Sequence, residues 1–191
     1  MSGQTEVERK RRLPDDGASL AGLLAGLGWQ AAEPVTEVDT YYSRPDVDYM
    51  ETVECLRVRR RGDFAEVTYK PGSTAATHSA DGVISKPETN VVLASAGQAP
   101  LADQLLQAVG MRLLVRVEKH RVAYRHPDFP DVTVNIDALA GVGSFVETEV
   151  MSTDAVAAAG LVERVEKELD IANCPMVELP YRDLAMRSTV T

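Results

Sequence analysis

The sequence predicts a β-dominated α+β protein, in which an antiparallel eight-stranded closed β-barrel is flanked by helices. Three observations predict this class. Eight segments have strand-like composition or alternation, most of them are joined by short turns, and only three segments have helical character. Many short strands joined in this way favour an antiparallel sheet that closes or nearly closes.

The predicted strands are separated by residues that favour turns. Gly62 and Asp63 lie between two of them, and Gly141 and Gly143 lie between the last two. The eight predicted strands are residues 5–13, 35–42, 54–61, 64–71, 83–93, 112–126, 132–138 and 144–151. A loop is predicted over residues 72–82, because Gly, Ser, Thr and Ala predominate there.

Helices are predicted over residues 15–28, 99–109 and 153–171. Gly28 and Gly110 supply helix stops for the first two. In the third helix, apolar residues recur on one face, and Glu163, Glu166 and Lys167 fall largely on the other. This periodicity predicts that the three charged residues face water.

Length and charge limit the classes of function. The chain has 191 residues, which suits a single domain over residues 1–191. Twenty Lys and Arg against twenty-nine Asp and Glu give a net charge of −9, which argues against a nucleic-acid or anionic-membrane binder. The first residues contain no apolar signal-peptide region, and the apolar stretch at 20–27 is too short to span a bilayer. A cytoplasmic protein is therefore predicted.

Charged residues recur on one face of nearly every predicted strand, because residues two apart in a strand point the same way. The rows are Glu6, Glu8 and Lys10; Arg57 and Arg59; Glu66, Thr68 and Lys70; Lys86, Glu88 and Asn90; Lys119 and Arg121; Asn135 and Asp137; Glu147 and Glu149. A half-buried strand also alternates, so a barrel with all of these charges outside is one interpretation. The other interpretation places the rows inside the barrel.

Rows of both signs inside a barrel predict a specific ligand chemistry. Clustered carboxylates suit Mg²⁺ or Mn²⁺, which prefer oxygen ligands. Lysine and arginine side chains from several directions suit phosphate oxygens. Together they would form a wet tunnel that binds a metal polyphosphate.

Several motifs resemble those of one family. EVERK at 6–10 resembles the ExExK signature of the CYTH superfamily, the triphosphate tunnel metalloenzymes. The resemblance continues through DTYYSRP at 39–45, LRVRR at 56–60, TYKPG at 68–72, VEKHRVAY at 117–124, NIDALAGVGSFVETEV at 135–150 and YRDL at 181–184. The pattern is most similar to the class IV adenylate cyclase branch, and thiamine triphosphatases are a near neighbour. The superfamily fold is an eight-stranded antiparallel tunnel.

The resemblance implies roles for individual residues. It implies metal ligands among Glu6, Glu8, Asp137, Glu147 and Glu149, and triphosphate contacts from Lys10, Arg57, Arg59, Lys70, Lys86, Lys119 and Arg121. Glu6, Glu8 and Lys10 are the predicted catalytic residues, and the identity of the general base stays open. Many members have RxExE where this chain has Lys86, Glu88 and Asn90, so one carboxylate is replaced by an amide.

The resemblance implies a metal-dependent enzyme that uses Mg²⁺ or Mn²⁺ and a small triphosphate. The first interpretation is a class IV adenylate cyclase-like enzyme, a phosphorus–oxygen lyase that converts ATP to cyclic AMP and pyrophosphate. The near alternative is a triphosphatase that hydrolyses thiamine triphosphate, a nucleoside triphosphate or tripolyphosphate. A third is a non-catalytic polyphosphate-binding module. Neither nucleic acid nor membrane is expected as a partner, and monomer and homodimer both stay open.

Overall fold

The computed structural model describes residues 5–74, 77 and 83–188. These residues contain ten strands: β1 (Thr5–Arg12), β2 (Gln30–Ala31), β3 (Val35–Ser43), β4 (Cys55–Arg61), β5 (Phe64–Lys70), β6 (Ile84–Pro87), β7 (Thr89–Val92), β8 (Arg112–His126), β9 (Phe129–Leu139) and β10 (Gly143–Ser152). They also contain four helices: α1 (Ala18–Gly26), α2 (Ala99–Ala108), α3 (Ala155–Glu168) and α4 (Tyr181–Ser188). Three helices were predicted from the sequence, and α4 was not. No helix in the described ranges combines the length and apolar character that crossing a membrane requires.

The sheet is mostly antiparallel, and its strand order is β6-β1-β10-β9-β8-β3-β4-β5-β7. The short β2 pairs with β8, off this path. The two end strands, β6 and β7, are consecutive in the chain and are separated only by Glu88. The strand order thus nearly closes on itself, as in a barrel. This confirms the predicted β-dominated α+β class, although nine strands rather than eight lie on the path.

The prediction of one strand over residues 83–93 is wrong. The segment forms two strands: β6 pairs with β1, and β7 pairs with β5. Pro87 ends β6, because proline has no backbone N–H to donate to a continuing ladder. Lys86 and Asn90 consequently belong to different strands, and the predicted row through Glu88 does not exist. In the neighbouring loop prediction, residues 75–76 and 78–82 lie outside the described part of the chain.

The described residues form two compact units, and each unit combines segments that are far apart in the chain. The first unit contains β1, β2, β6, β9, β10, α1 and α3. The second contains β3, β4, β5, β7, α2 and α4. Strand β8 contributes to both, because the division falls after Lys119. Neither unit is one continuous stretch, and a single domain over residues 1–191 stays a prediction.

Each unit has its own apolar core. In the first unit, α1 and α3 pack on one face of the sheet through residues that include Leu24, Val162 and Val165, against Val7 and Val134. Helix α3 begins at a capped residue: the Asp154 carboxylate accepts the backbone N–H groups of Val156 and Ala157. The core of the second unit is smaller and contains Tyr42, Val58, Ala65 and Ala99. The helices cover the apolar faces of the strands. The polar rows lie on the opposite faces of the same strands.

Candidate functional site

Three carboxylates of the first unit lie together where β1 and β10 pair. Glu8 lies directly opposite Glu149 in the antiparallel register, and Lys10 lies directly opposite Glu147. One oxygen each of Glu8, Glu147 and Glu149 lies within 4.8 Å of the others. Like charges that face each other across two strands repel unless a cation lies near them. Three carboxylate oxygens at this spacing fit a hard divalent cation such as Mg²⁺ or Mn²⁺.

Arg121 is the central cation of this carboxylate cluster. Its Nε and Nη2 atoms donate to the two oxygens of Asp137, each at 2.6 Å. The same guanidinium contacts Glu147 at 2.5 Å and Glu149 at 3.5 Å. Burial alone would lower the pKa of Arg121, but its attraction to Asp137 and the neighbouring carboxylates raises the pKa well above the usual value. Arg121 therefore stays charged and partly neutralises the cluster.

The other predicted residues of the first unit lie along the same strands. The Nζ atom of Lys10 is 3.2 Å from Glu147, and both side chains are buried. Glu6 lies opposite Lys86 in the pairing of β1 with β6. Within the described chain, the three-carboxylate group of Glu8, Glu147 and Glu149 does not include Glu6 or Asp137, although both were predicted as ligands.

The second unit contains a separate cluster that is rich in arginine and lysine. Arg59 donates two hydrogen bonds to Asp39, both at 2.7 Å, which is the bidentate geometry of a strong pair. Arg57 contacts both Asp39 and Glu88 at 3.7 Å, and Lys70 contacts Glu88 at the same distance. Four of the predicted phosphate-binding residues lie in this unit: Arg57, Arg59, Lys70 and Lys119. They come from β4, β5 and β8, and acids hold them in position.

Glu37 is an acid of the second unit that contacts three cations, and the sequence did not single it out. Its side chain is 1% exposed, and it lies 3.1 Å from Lys119, 3.2 Å from Arg59 and 3.6 Å from Arg61. The ring of Tyr181 on α4 lies on Lys119, with Nζ 5.1 Å from the ring centre. Glu37 and the equally overlooked Asp39 are two residues apart on β3. That spacing was a usable signal for a polar row.

The electrostatics of Asp39 follow from these contacts. Burial would raise the pKa of its carboxyl, but the nearby Arg59 and Arg57 guanidinium groups outweigh that effect and hold the pKa well below its usual range. Burial raises the pKa of the adjacent Tyr41 hydroxyl, and its proximity to Asp39 adds to the increase. Asp39 therefore carries a full negative charge at neutral pH, whereas Tyr41 is neutral.

Several side chains of the charged rows are buried, which contradicts the interpretation that all of the rows face water. The exposed fractions are 7% for Lys10, 6% for Lys86, 3% for Lys119 and 8% for Arg121. Lys119 and Arg121 lie two residues apart on β8 and share a face of that strand. Buried charge is tolerated when it is paired, and Lys10, Lys119 and Arg121 each contact a carboxylate on another strand. Such fixed, paired charges suit a small, highly charged ligand with a cation.

The chain belongs to the CYTH domain family, whose model matches residues 4–178. Members of this family depend on metal ions and bind triphosphates, and they include adenylate cyclases and triphosphatases. The motif resemblance in the sequence is thereby confirmed.

Individual relatives agree with this family membership. A Methanocaldococcus jannaschii protein, named as a candidate adenylate cyclase, is 25% identical over 94% of this chain and 97% of its own length. The solved structure of the PH1819 protein from Pyrococcus horikoshii is 22% identical, with a TM-score of 0.79 over 95% of this chain and 98% of that one. A Hippeastrum protein is 16% identical, with a TM-score of 0.67 over 97% and 96% of the two chains. The two structural similarities show a shared fold.

Proposed function

We propose that this protein is a metal-dependent enzyme acting on a small triphosphate, with class IV adenylate cyclase activity as the first candidate. The observation that carries the proposal is the close group of Glu8, Glu147 and Glu149 beside two buried cations, Lys10 and Arg121. A group of carboxylates alone is compatible with many functions. Carboxylates that alternate with buried lysine and arginine side chains suit a metal-bound polyphosphate in particular.

The residues have distinct proposed roles. Glu8, Glu147 and Glu149 would hold the divalent ion, with Glu6 and Asp137 kept as predicted further ligands. Phosphate oxygens would be bound by the predicted cations: Lys10, Arg57, Arg59, Lys70, Lys86, Lys119 and Arg121. The acids Glu37 and Asp39 would keep the cations of the second unit in fixed positions before the substrate arrives, so little reorganisation accompanies binding.

The chemistry requires alignment and charge neutralisation more than covalent help from the protein. The divalent ion, when bound, would neutralise negative charge on the phosphate oxygens. In a cyclase, the ribose 3′-hydroxyl attacks the α-phosphorus, and pyrophosphate leaves. Lys10 and Arg121 would stabilise the charge that develops on the phosphate oxygens, and Glu6 is a candidate for removing the proton of the attacking hydroxyl.

A triphosphatase is the second candidate. The same residues would then bind the triphosphate in another register, so that water attacks the terminal phosphorus, the bond to the bridging oxygen breaks, the diphosphate portion leaves and inorganic phosphate is formed. The observation that favours this candidate is the fold similarity to the Hippeastrum protein, which is described as a candidate adenylyl cyclase with a dominant triphosphatase activity. The relative from Methanocaldococcus jannaschii supports the cyclase instead, through its name.

A substrate panel tests the proposal. The purified chain is incubated with ATP, thiamine triphosphate and tripolyphosphate, each with Mg²⁺ or Mn²⁺, and cyclic AMP, pyrophosphate and phosphate are measured. Cyclic AMP with equimolar pyrophosphate supports the cyclase, and phosphate release without cyclic AMP supports the triphosphatase. If the chain binds one of these three compounds but turns none of them over, the non-catalytic polyphosphate-binding module is the interpretation that remains. No binding and no turnover contradict the proposal as a whole.

A further inference from the structure

Asn135 on β9 has a buried side chain whose amide Nδ2 atom finds no hydrogen-bond acceptor among the residues that the structure describes. The residue is 2% exposed, and within the described chain its Nδ2 atom donates no hydrogen bond to another group. It lies directly opposite Glu147 in the pairing of β9 with β10, and it shares a face of β9 with Asp137. A buried amide donor with no acceptor is unfavourable, so its presence beside a carboxylate cluster requires an explanation.

The neighbouring carboxylates are engaged by other groups. Lys10 contacts one oxygen of Glu147, and Arg121 contacts the other. Both oxygens of Asp137 accept hydrogen bonds from Arg121. Glu147 and Asp137 are thus paired with cations, and neither carboxylate accepts a hydrogen bond from the Asn135 amide.

We propose that the Asn135 amide is a ligand-binding group of this cluster, and that Nδ2 donates to a phosphate oxygen of the bound triphosphate. This inference rests on the proposed function and adds a residue to it. A neutral amide supplies a donor without adding charge to a cluster that already contains Lys10 and Arg121. A phosphate oxygen is an acceptor without a proton, so the amide and the oxygen match.

A substitution without the amide tests this assignment. Asn135→Leu replaces the amide with an apolar group of similar size. Because Nδ2 has no acceptor in the described part of the chain, removal of the amide is expected to leave the melting temperature unchanged or to raise it. In isothermal titration calorimetry with Mn²⁺ present, the dissociation constant for tripolyphosphate is expected to rise about 10- to 100-fold, as for loss of a hydrogen bond to a charged group.

Thr148 provides a matched control. Its Oγ1 atom is also buried and has no hydrogen-bond partner over residues 5–74, 77 and 83–188, but Thr148 lies on the opposite face of β10 from Glu147. Thr148→Val removes that hydroxyl at nearly constant shape, and tripolyphosphate should bind this variant as it binds the original protein. Equal weakening by both substitutions would indicate a general packing effect and would overturn the assignment.

The remaining outcomes separate the inference from the proposed function. If the unmodified protein binds no tripolyphosphate with Mn²⁺, the proposed function fails. If it binds and Asn135→Leu binds equally well, only the inference fails. A lower melting temperature of ligand-free Asn135→Leu and of the smaller Asn135→Ala would assign the amide a structural role and overturn the inference. Loss of the melting-temperature shift caused by Mn²⁺ alone would assign the amide to the metal instead of the phosphate.

Discussion

Glu166 on α3 forms a buried ion pair with Arg9 on β1, with 2.8 Å between the carboxylate oxygen and Nη1. Arg11, two residues further along β1, contacts the same oxygen at 2.9 Å. Arg9 and Arg11 lie on the face of β1 opposite to Glu8 and Lys10. The pairs with Glu166 therefore help to keep the other face of β1 toward the carboxylate cluster, because a slip of one residue would exchange the two faces.

Removal of Glu166 should destabilise the fold. Glu166→Ala leaves two buried guanidinium groups without their shared acid, and loss of one partner of a buried pair costs about 3–5 kcal/mol. We expect the free energy of unfolding, measured in urea, to fall by about this amount. Glu163→Ala is the control on the same helix: Glu163 is exposed and pairs with exposed Lys167, so the change should stay within about 0.5 kcal/mol. Equal effects of the two substitutions would contradict this role for Glu166.

Asp39 should make the free energy of unfolding depend on pH in the acid range. Its pKa is lowered in the folded protein, so the unfolded chain, with a value near 3.8, binds the proton more tightly. The stabilisation is therefore fully present above that value and is lost as the pH falls below it. Asp39→Asn should cost about 3 kcal/mol at neutral pH, because Arg59 loses its buried partner.

The difference between the unmodified protein and Asp39→Asn should begin to shrink toward about pH 3, because Asp39 then takes up a proton in the unfolded chain but, with its lowered pKa, stays ionised in the folded protein. Urea unfolding at both pH values measures this change. Asp131→Asn, at an exposed position of β9, should stay within about 0.5 kcal/mol at each pH. A cost of Asp39→Asn that is the same at both pH values would exclude the ion pair as its cause.

Glu8→Gln tests the carboxylate cluster. The change removes one of two like charges that face each other across β1 and β10, so the ligand-free protein should be as stable as before or more stable. The increase in melting temperature that Mn²⁺ causes should be lost, and turnover should fall more than about 100-fold, since even indirect contacts to a metal contribute about 10- to 100-fold. Glu118→Gln, on the exposed face of β8, is the matched control and should change neither quantity.

Gly143 at the start of β10 should not tolerate a side chain. Its φ angle is +131°, and an added Cβ would lie 2.7 Å from Nη1 of Arg12. Gly143→Ala should cost about 1–3 kcal/mol of unfolding free energy. Gly22 in α1 has open space around it, so Gly22→Ala should instead stabilise the protein by about 0.5–1 kcal/mol. Thermal unfolding compares the two, and a neutral Gly143→Ala would show that Arg12 moves aside without cost.

The sequence predicted those elements whose pattern is local. The boundaries predicted for β8 match the structure, since its alternation continues without interruption from Arg112 to His126. The split of residues 83–93 had a local signal in Pro87, but the pairing of β6 with β1 and of β7 with β5 depends on strands elsewhere in the chain. Helix α4 is short and polar, so it has little periodicity of its own, although Arg182 is buried and donates to backbone carbonyls of Tyr49 and Glu54.

Side-chain partners were harder to predict than strand faces. The two-residue spacing correctly grouped Glu8 with Lys10 and Glu147 with Glu149. The prediction that Glu166 faces water is wrong, because Arg9 and Arg11 compensate its charge inside the first unit. Whether a charged residue is buried depends on the partner that tertiary structure brings to it, and helix periodicity contains no such information.

The pairing of β1 has a consequence for the order of events during synthesis. Its neighbours in the sheet are β6 and β10, which begin at Ile84 and Gly143. The strand that carries Glu8 and Lys10 thus leaves the ribosome well before either neighbour exists, and its backbone groups stay unpaired while the intervening chain is made. Long-range strand pairing of this kind slows folding and exposes unpaired edges. The strand that contributes Glu8 to the proposed metal site is therefore exposed to misassembly in the growing chain.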